Sequence, residues 1–254
     1  MQHRRLIATL VAIFFFSITA GCSGPTAAVD KRQAEAQKAL GEVYLNQGQY
    51  TTALQELLKA EALDPDDPYI QNSLGMVYAA KGKLDLAVST FNKALALKPD
   101  YAPARNNLGS AYLLQGNWDA AIACLMPLTG NLVYATPHFP LYNIGWAYYN
   151  KKDYKLAETY FREALDTDPD FARARWGLGL TYSANGNTDA AIEQLEKAVQ
   201  KEPEFAQAFF DLGNLYQIKG RRDKAIESYQ RVISLAPDSP LAQKATAAVS
   251  ILKR

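Results

Sequence analysis

Histidine and cysteine are scarce in this chain of 254 residues, which contains two of each. One histidine lies at position 3, and the other, His138, is expected in a loop without neighbouring His, Cys or Asp residues at metal-ligand spacing. The GxSxG, HExxH, Walker A and GxGxxG motifs are also absent. Because catalysis needs several reactive groups in one pocket, the sequence predicts no metal site, no cofactor and no enzymatic activity.

The chain also lacks an excess of charge of either sign, with 27 Lys and Arg residues against 26 Asp and Glu residues. Arg4 and Arg5 belong to an N-terminal segment that is predicted to be removed, which leaves 25 basic residues. A protein that binds nucleic acid through its phosphates needs a basic excess on one face. We therefore expect no nucleic-acid partner.

Long apolar runs are missing after residue 22, whereas the segment before it contains one. A basic start leads into the apolar stretch Leu6–Phe16, and small residues follow up to Cys22. This layout is typical of a secretory signal peptide, and the stretch is short for a bilayer span of roughly 20 residues. We predict a signal peptide over residues 1–21 and a tether without apolar periodicity over residues 22–33. The alternative is an uncleaved N-terminal anchor.

The segment Ser17-Ile18-Thr19-Ala20-Gly21-Cys22 resembles the lipobox of bacterial lipoproteins, although that family usually has leucine where Thr19 stands. The resemblance implies that Cys22 carries the lipid (palmitate) and becomes the first residue of the mature protein. In that family an aspartate after the cysteine retains the protein at the inner membrane. Ser23 stands there instead, which implies an outer-membrane anchor and a protein that faces the periplasm. Cys124 then has no disulfide partner, and we expect it to be a small buried residue.

One pattern recurs six times in the rest of the chain. Glycines spaced by 34 or 36 residues are each preceded by an aliphatic residue and followed three positions later by tyrosine: Gly41, Gly75, Gly109, Gly145, Gly179 and Gly213. An alanine lies twelve positions after each glycine, a large apolar residue lies four positions further on, and a proline closes five of the six copies. Repeats of this length indicate helix hairpins that bury their apolar faces only by stacking on their neighbours.

This pattern resembles the tetratricopeptide repeat (TPR) over about residues 34–239. The resemblance implies an all-α fold, a right-handed superhelical solenoid of six helix–turn–helix units at residues 34–67, 68–101, 102–137, 138–171, 172–205 and 206–239. Residues 240–254 begin with Pro240 and carry apolar residues at helical spacing, which predicts a capping helix. The third unit contains Pro127 in its second helix and is predicted to end in an irregular connection over residues 129–138. That connection is either a tolerated surface insertion or a distinctive family feature.

The TPR resemblance also implies that the first helix of each unit lines a concave groove that binds a protein partner. Positions in this groove hold aromatic residues that the repeat does not require: Tyr142, Trp146, Tyr149, Trp176 and Phe210. Aromatic residues are enriched among binding anchors, and the alternative is that these rings pack on one another in a tightly curled solenoid. Groove positions also hold asparagines, which either hydrogen-bond a peptide backbone or are simply solvated: Asn72, Asn106, Asn107, Asn143 and Asn214.

The lipobox, the six units and the longer third unit together resemble the type IV pilus pilotins, a family of outer-membrane TPR lipoproteins. The resemblance implies a scaffold that helps secretin subunits reach the outer membrane and assemble there. Its partner would then be a secretin subunit or another pilus assembly component. The alternative is a periplasmic TPR adaptor that recruits envelope proteases or cell-wall enzymes.

Overall fold

A computed structural model describes residues 25–130 and 136–254, and within these ranges the chain forms thirteen α-helices and no strand. The helices are α1 Pro25–Asn46, α2 Tyr50–Leu63, α3 Pro68–Ala80, α4 Leu84–Leu97, α5 Ala102–Leu114, α6 Trp118–Thr129, α7 His138–Asn150, α8 Tyr154–Thr167, α9 Ala172–Ala184, α10 Thr188–Lys201, α11 Ala206–Ile218, α12 Arg222–Leu235 and α13 Pro240–Leu252. Each odd-numbered helix up to α11 packs on the helix that follows it, and α13 packs on α12. The prediction of an all-α solenoid of six helix hairpins and a capping helix is confirmed.

The repeat glycines lie where the two helices of one hairpin approach closely. A Cβ added at Gly75 would lie 2.5 Å from the ring of Phe91, and one added at Gly145 would lie 2.8 Å from the ring of Phe161. The large apolar residue of each unit therefore occupies the space that a side chain at the glycine would need. This residue and the alanine before it are buried in every unit: Ala53, Leu57, Ala87, Phe91, Ala121, Leu125, Ala157, Phe161, Ala191, Leu195, Ala225 and Tyr229. Burial of each large side chain contributes roughly 1.5–3 kcal/mol.

Each hairpin turn contains one residue with positive φ, seven positions after the repeat glycine. In five units it is a glycine: Gly48, Gly82, Gly116, Gly186 and Gly220. In the fourth unit it is Lys152, with φ of 62°, although a side chain makes this left-handed conformation less favourable. These turn glycines are a second periodic signal that the sequence analysis did not use.

The two ends of the solenoid differ. Residues 25–33 of the predicted tether are helical and form the first turns of α1, and residues 28–33 bury no apolar side chain, in keeping with their lack of apolar periodicity. At the other end, α13 begins where the Ser239 hydroxyl accepts a hydrogen bond from the Ala242 N–H at 3.1 Å, with Pro240 in the first turn. Ala242 and Ala245 are buried, so α13 seals the last hairpin as predicted.

The third unit contains Pro127 inside α6, as predicted, and α6 ends at Thr129. His138 was predicted in a loop, and this prediction is wrong because His138 is the first residue of α7. The histidine ring packs on Phe171 at the end of the same unit, with ring centroids 5.0 Å apart, and its Nε2 lies 3.8 Å from Asp168 Oδ2.

Several predictions concern residues outside the described ranges. They are the signal peptide, the lipidated Cys22 and the middle of the irregular connection, residues 131–135. Among the helices that the structure does describe, none combines the length and the apolar character that crossing a bilayer requires.

Candidate partner-binding groove

The first helices of the hairpins form the inner side of the solenoid. Successive first helices contact one another, from α1 with α3 through to α7 with α9, whereas successive second helices make no comparable contacts within the described residues. In a curved stack, the elements that approach each other more closely lie on the inside of the curve. The concave surface is therefore built from the first helices, which carry the residues that the sequence analysis assigned to the groove.

A column of stacked aromatic rings occupies this surface in the fourth and fifth units. The Trp146 ring stacks on Tyr142, Tyr149 and Trp176, with centroids 6.5, 5.3 and 5.0 Å apart and interplanar angles between 16° and 23°. Stacked pairs of this kind contribute about 0.5–1.5 kcal/mol beyond the area that they bury. All four side chains are half-buried, so the rings pack on one another and still keep part of their surface accessible.

Tyr142 joins this column to the hydrophobic core. Its ring lies 5.8 Å from the ring of Phe161 and 5.5 Å from that of Phe171, between centroids. Burial raises the pKa of Tyr142 to about 12, because the phenolate would lose its hydration. The hydroxyl group therefore stays protonated at neutral pH, and the column carries no charge at this position.

Trp176 is held by a carboxylate from the next unit. Its Nε1–H donates to Asp211 Oδ2 at 2.8 Å, and Gln207 Nε2 donates to the same oxygen at 3.1 Å. Burial raises the pKa of Asp211 above its usual range, and the two hydrogen bonds oppose that shift. Asp211 lies on α11, and the sequence analysis gave it no role, since its partner lies 35 residues away in the chain.

The raised pKa of Asp211 predicts that the free energy of unfolding depends on pH. A carboxyl group with a higher pKa in the folded chain binds more protons when folded, so stability is lost as pH rises from the usual aspartate value through the raised one. Asp211→Asn removes the charge and keeps an acceptor for Trp176. We expect this variant to unfold at a higher denaturant concentration than the wild type at pH 7, and the difference to shrink below pH about 3.9.

Urea titrations at a series of pH values measure this difference. Asp100→Asn, which removes an exposed carboxylate from a turn, is the matched control for the change in net charge. If Asp211→Asn were less stable than the wild type at pH 7, the hydrogen bond from Trp176 to the ionised carboxylate would stabilise the fold by more than burial of that charge destabilises it.

The predicted groove asparagines bond mainly to one another. Asn107 Nδ2 donates to Asn72 Oδ1 at 2.9 Å, and Asn143 Nδ2 lies 3.1 Å from Ser110 Oγ and 3.4 Å from Asn106 Oδ1. These bonds connect the first helices of the second, third and fourth units. Asn72 is only 7% exposed, so it links helices rather than lining open surface, while the other three asparagines are half-buried.

The groove residues predicted in the sixth unit are tied to the core. Phe210 packs on Tyr229 with ring centroids 5.7 Å apart, and Asn214 Oδ1 accepts a hydrogen bond of 2.7 Å from the Tyr229 hydroxyl. Both residues are half-buried and lie on α11, beyond the column. The stacked rings of the groove therefore belong to the fourth and fifth units.

A cavity of about 640 Å³ on the outer side was not predicted. It lies between α10 and α12, and its floor includes Phe209, Leu212 and Tyr216. Phe209, four positions before the repeat glycine, could have indicated this cavity. In three other units the residue at this position donates a hydrogen bond to the carbonyl of a preceding proline, which phenylalanine cannot do: Gln71, Arg105 and Arg175. Within the described part of the chain, no cluster of three His, Cys, Asp or Glu residues is arranged to hold a metal ion.

Family models for the tetratricopeptide repeat match the chain at residues 41–82, 76–116, 140–171 and 179–240, which together make up more than half of its length. No curated protein matches the chain.

Solved structures share the fold. PilW, described as a widely conserved type IV pilus biogenesis factor, is 22% identical with a TM-score of 0.74, and the match covers 84% of this chain and 98% of PilW. The pilF protein of Pseudomonas aeruginosa is 21% identical with a TM-score of 0.70, over 87% and 99% of the two chains. A chain of the APC/C hetero-tetramer Cut9–Hcn1 is 20% identical with a TM-score of 0.75, over 87% of this chain and 43% of that chain.

The hairpins, the buried glycine contacts and the matched family models agree with one another. The fold is a right-handed TPR solenoid, and proteins of this kind bind other proteins and are generally not enzymes. This chain therefore belongs to the tetratricopeptide repeat family and is a scaffold for protein–protein interaction.

Proposed function

We propose that this protein is an outer-membrane lipoprotein that faces the periplasm and helps type IV pilus secretin subunits to reach the membrane and assemble. The observation that carries the proposal is the end-to-end match with two pilus proteins. PilW and pilF superpose over nearly their whole length, whereas the match with the chain of the Cut9–Hcn1 complex covers less than half of that chain. The agreement with those two proteins therefore extends from the single repeat to the number of repeats and their arrangement.

The lipobox and the start of α1 support a position close to the membrane. α1 begins at Pro25, three positions after Cys22. Three residues span at most about 10 Å, so a lipid on Cys22 would hold the N-terminal end of the solenoid next to the bilayer surface. The groove in the fourth and fifth units would then lie away from the membrane, where it is open to a partner in the periplasm.

The aromatic column supports a protein partner with apolar anchor residues. Trp146, Tyr149 and Trp176 are half-buried and tightly stacked, so they need little reorganisation when a partner binds. Asp211, a half-buried carboxylate among the described residues, accepts a hydrogen bond from Trp176 of the column. The surface therefore suits an uncharged apolar segment, because burial of a partner charge there would lack compensation.

Cys22→Ala should abolish labelling of the protein by a fatty-acid analogue and release it from the outer-membrane fraction. The reason is that the lipobox resemblance places the lipid on the Cys22 thiol, which alanine lacks. Cys124→Ala is the matched control and should keep both properties, since Cys124 is half-buried in α6 and burial raises the pKa of its thiol. Labelling that persists in Cys22→Ala would exclude the lipoprotein assignment.

The secretin itself provides the test of function. In cells that lack this protein, we expect secretin subunits to be found as monomers outside the outer-membrane fraction, and the wild-type gene to restore membrane multimers. Cys22→Ala should fail to restore them. If secretin multimers form normally without the protein, and if proteases or cell-wall enzymes co-purify with it, the adaptor function replaces the pilotin function.

A further inference from the structure

A second cavity, of about 320 Å³, lies where the fourth unit packs on the fifth, and two arginine side chains line it. Its lining comes from α8, α9 and α10: Arg162, Leu165, Asp166, Arg175, Leu178 and Gln194. The leucines make part of the wall apolar, and the two guanidinium groups supply positive charge and several N–H donors. None of these residues belongs to the aromatic column. The cavity therefore has the chemistry of an anion site that is separate from the groove.

Arg175 is the arginine that lacks an acidic partner. Its Nη2 donates to the carbonyl of Pro169 at 2.6 Å, and its buried Nε has no hydrogen-bond partner. Among the described residues Arg175 forms no ion pair, whereas Arg162 Nε donates to Glu158 Oε1 at 3.0 Å. Arg175 is half-buried, and a guanidinium that has lost part of its hydration without gaining a counter-charge costs free energy. An anion bound beside Arg175 would offset that cost.

The junction between the first and second units shows which anion suits this place. Gln71 has the position of Arg175, four residues before the repeat glycine, and it also donates to the carbonyl of a preceding proline. In addition, Gln71 donates to Glu61 Oε1 at 2.8 Å. The position of Glu61, twenty residues after the repeat glycine, holds Leu165 in the fourth unit. The first unit thus supplies a carboxylate to this donor from within the chain, and the fourth unit does not.

We propose that the cavity binds a carboxylate of a protein partner, in the place that Glu61 fills between the first two units. A carboxylate accepts two parallel hydrogen bonds from a guanidinium, and the apolar wall suits the methylene groups that carry an acidic side chain or a chain terminus. Asp166 is exposed and forms no ion pair with either arginine, so its charge only weakens the attraction. This site does not depend on the pilotin function, since any partner of the scaffold can supply a carboxylate.

Nuclear magnetic resonance of the arginine Nε–H groups, with the full chain in detergent micelles, tests the proposal. The α-amide of N-acetylglutamate presents a side-chain carboxylate, and N-acetyl-leucine presents a terminal one. We expect at least one of them to shift the Arg175 signal in a saturable manner, and Asp166→Asn to bind that probe more tightly. A shift with inorganic phosphate alone would overturn the assignment of a carboxylate. No saturable shift with any of the three probes would overturn the site.

Arg175→Gln should raise the dissociation constant of the probe by about tenfold or more, measured from the backbone amide signals of α9. The variant should fold, because Gln71 makes the same bond to a proline carbonyl at the matching position. Arg173→Gln removes an exposed arginine from the same helix, and we expect it to bind as the wild type does. Equal affinities for Arg175→Gln and Arg173→Gln would contradict the proposal.

Leu165→Glu rebuilds the arrangement of the first two units within the fourth and fifth. Its carboxylate should occupy the cavity, so we expect the variant to lose binding of the probes. It should also melt at a higher temperature than Leu165→Gln, which has nearly the same shape without the charge. If Leu165→Glu melts no higher than Leu165→Gln, or binds the probes as the wild type does, a carboxylate does not belong in this place.

Discussion

Phe161→Ala should lower the free energy of unfolding by about 3–5 kcal/mol, the range for a large aromatic side chain removed from a packed core. Phe161 has no exposed surface, and its ring lies between glycines of two different units. A Cβ at Gly145 would lie 2.8 Å from the ring, and one at Gly177 would lie 2.6 Å from it. Truncation therefore opens a cavity between two first helices at once, directly below the aromatic column.

Chemical denaturation followed by circular dichroism measures this loss. Leu156→Ala, on the same helix α8 but 37% exposed, is the matched control and should change stability by about 0.5 kcal/mol. Because neighbouring repeats stabilise one another, we expect the fourth and fifth units of Phe161→Ala to lose amide protection before the first two. A loss no larger than that of the control would contradict the packing role of Phe161.

Trp146→Ala/Trp176→Ala should weaken binding of the proposed secretin partner by at least about 2 kcal/mol, or roughly thirtyfold in dissociation constant. Tryptophan side chains in a preformed aromatic cluster are the kind of residue that dominates interface energy. Removal of both leaves Tyr142 and Tyr149 without the ring on which they stack. The partner then loses its apolar contact surface as well as two anchors.

Binding of purified secretin to the immobilised protein measures the effect. Leu86→Ala, 51% exposed on the second helix α4 and outside the groove, is the matched control and should bind as the wild type does. Trp176→Phe separates two contributions, since it keeps a ring in the column but loses the hydrogen bond to Asp211. If the double variant is less stable than the wild type but binds equally well, the column has a packing role only.

The helices and their order could be predicted because the signals for them are local. Glycine, tyrosine, alanine and proline recur at constant spacing, and Gly75 and Phe91 of one hairpin meet because they are only 16 residues apart in one helix pair. The capping helix was predicted from Pro240 and from apolar residues at helical spacing. The start of α1 at Pro25 was not, since residues 25–33 have no apolar face that would indicate a helix.

The functional surface was predicted less completely, because its contacts join residues about 35 positions apart. The aromatic residues were found from their groove positions, but not their stacking order or the bond from Trp176 to Asp211. The mutual bonding of Asn72 and Asn107 was also missed, since either amide could equally have remained solvated. The signal peptide, the lipid on Cys22 and the limits of the units stay predictions.

The sequence by itself determined the class of fold, the number of hairpins and the side of each hairpin that faces its neighbours. These follow from the periodic apolar positions, because every hairpin must bury the same positions against its neighbours wherever it lies in the stack. Tertiary structure alone decided which groove residues are accessible, which bond to one another, and that Leu40 and Val43 stay exposed at the end of the stack. The physical reason is that the accessibility of a side chain depends on whether a neighbouring unit is present and on how the side chains pack. Neither can be predicted from the spacing of residues along the chain.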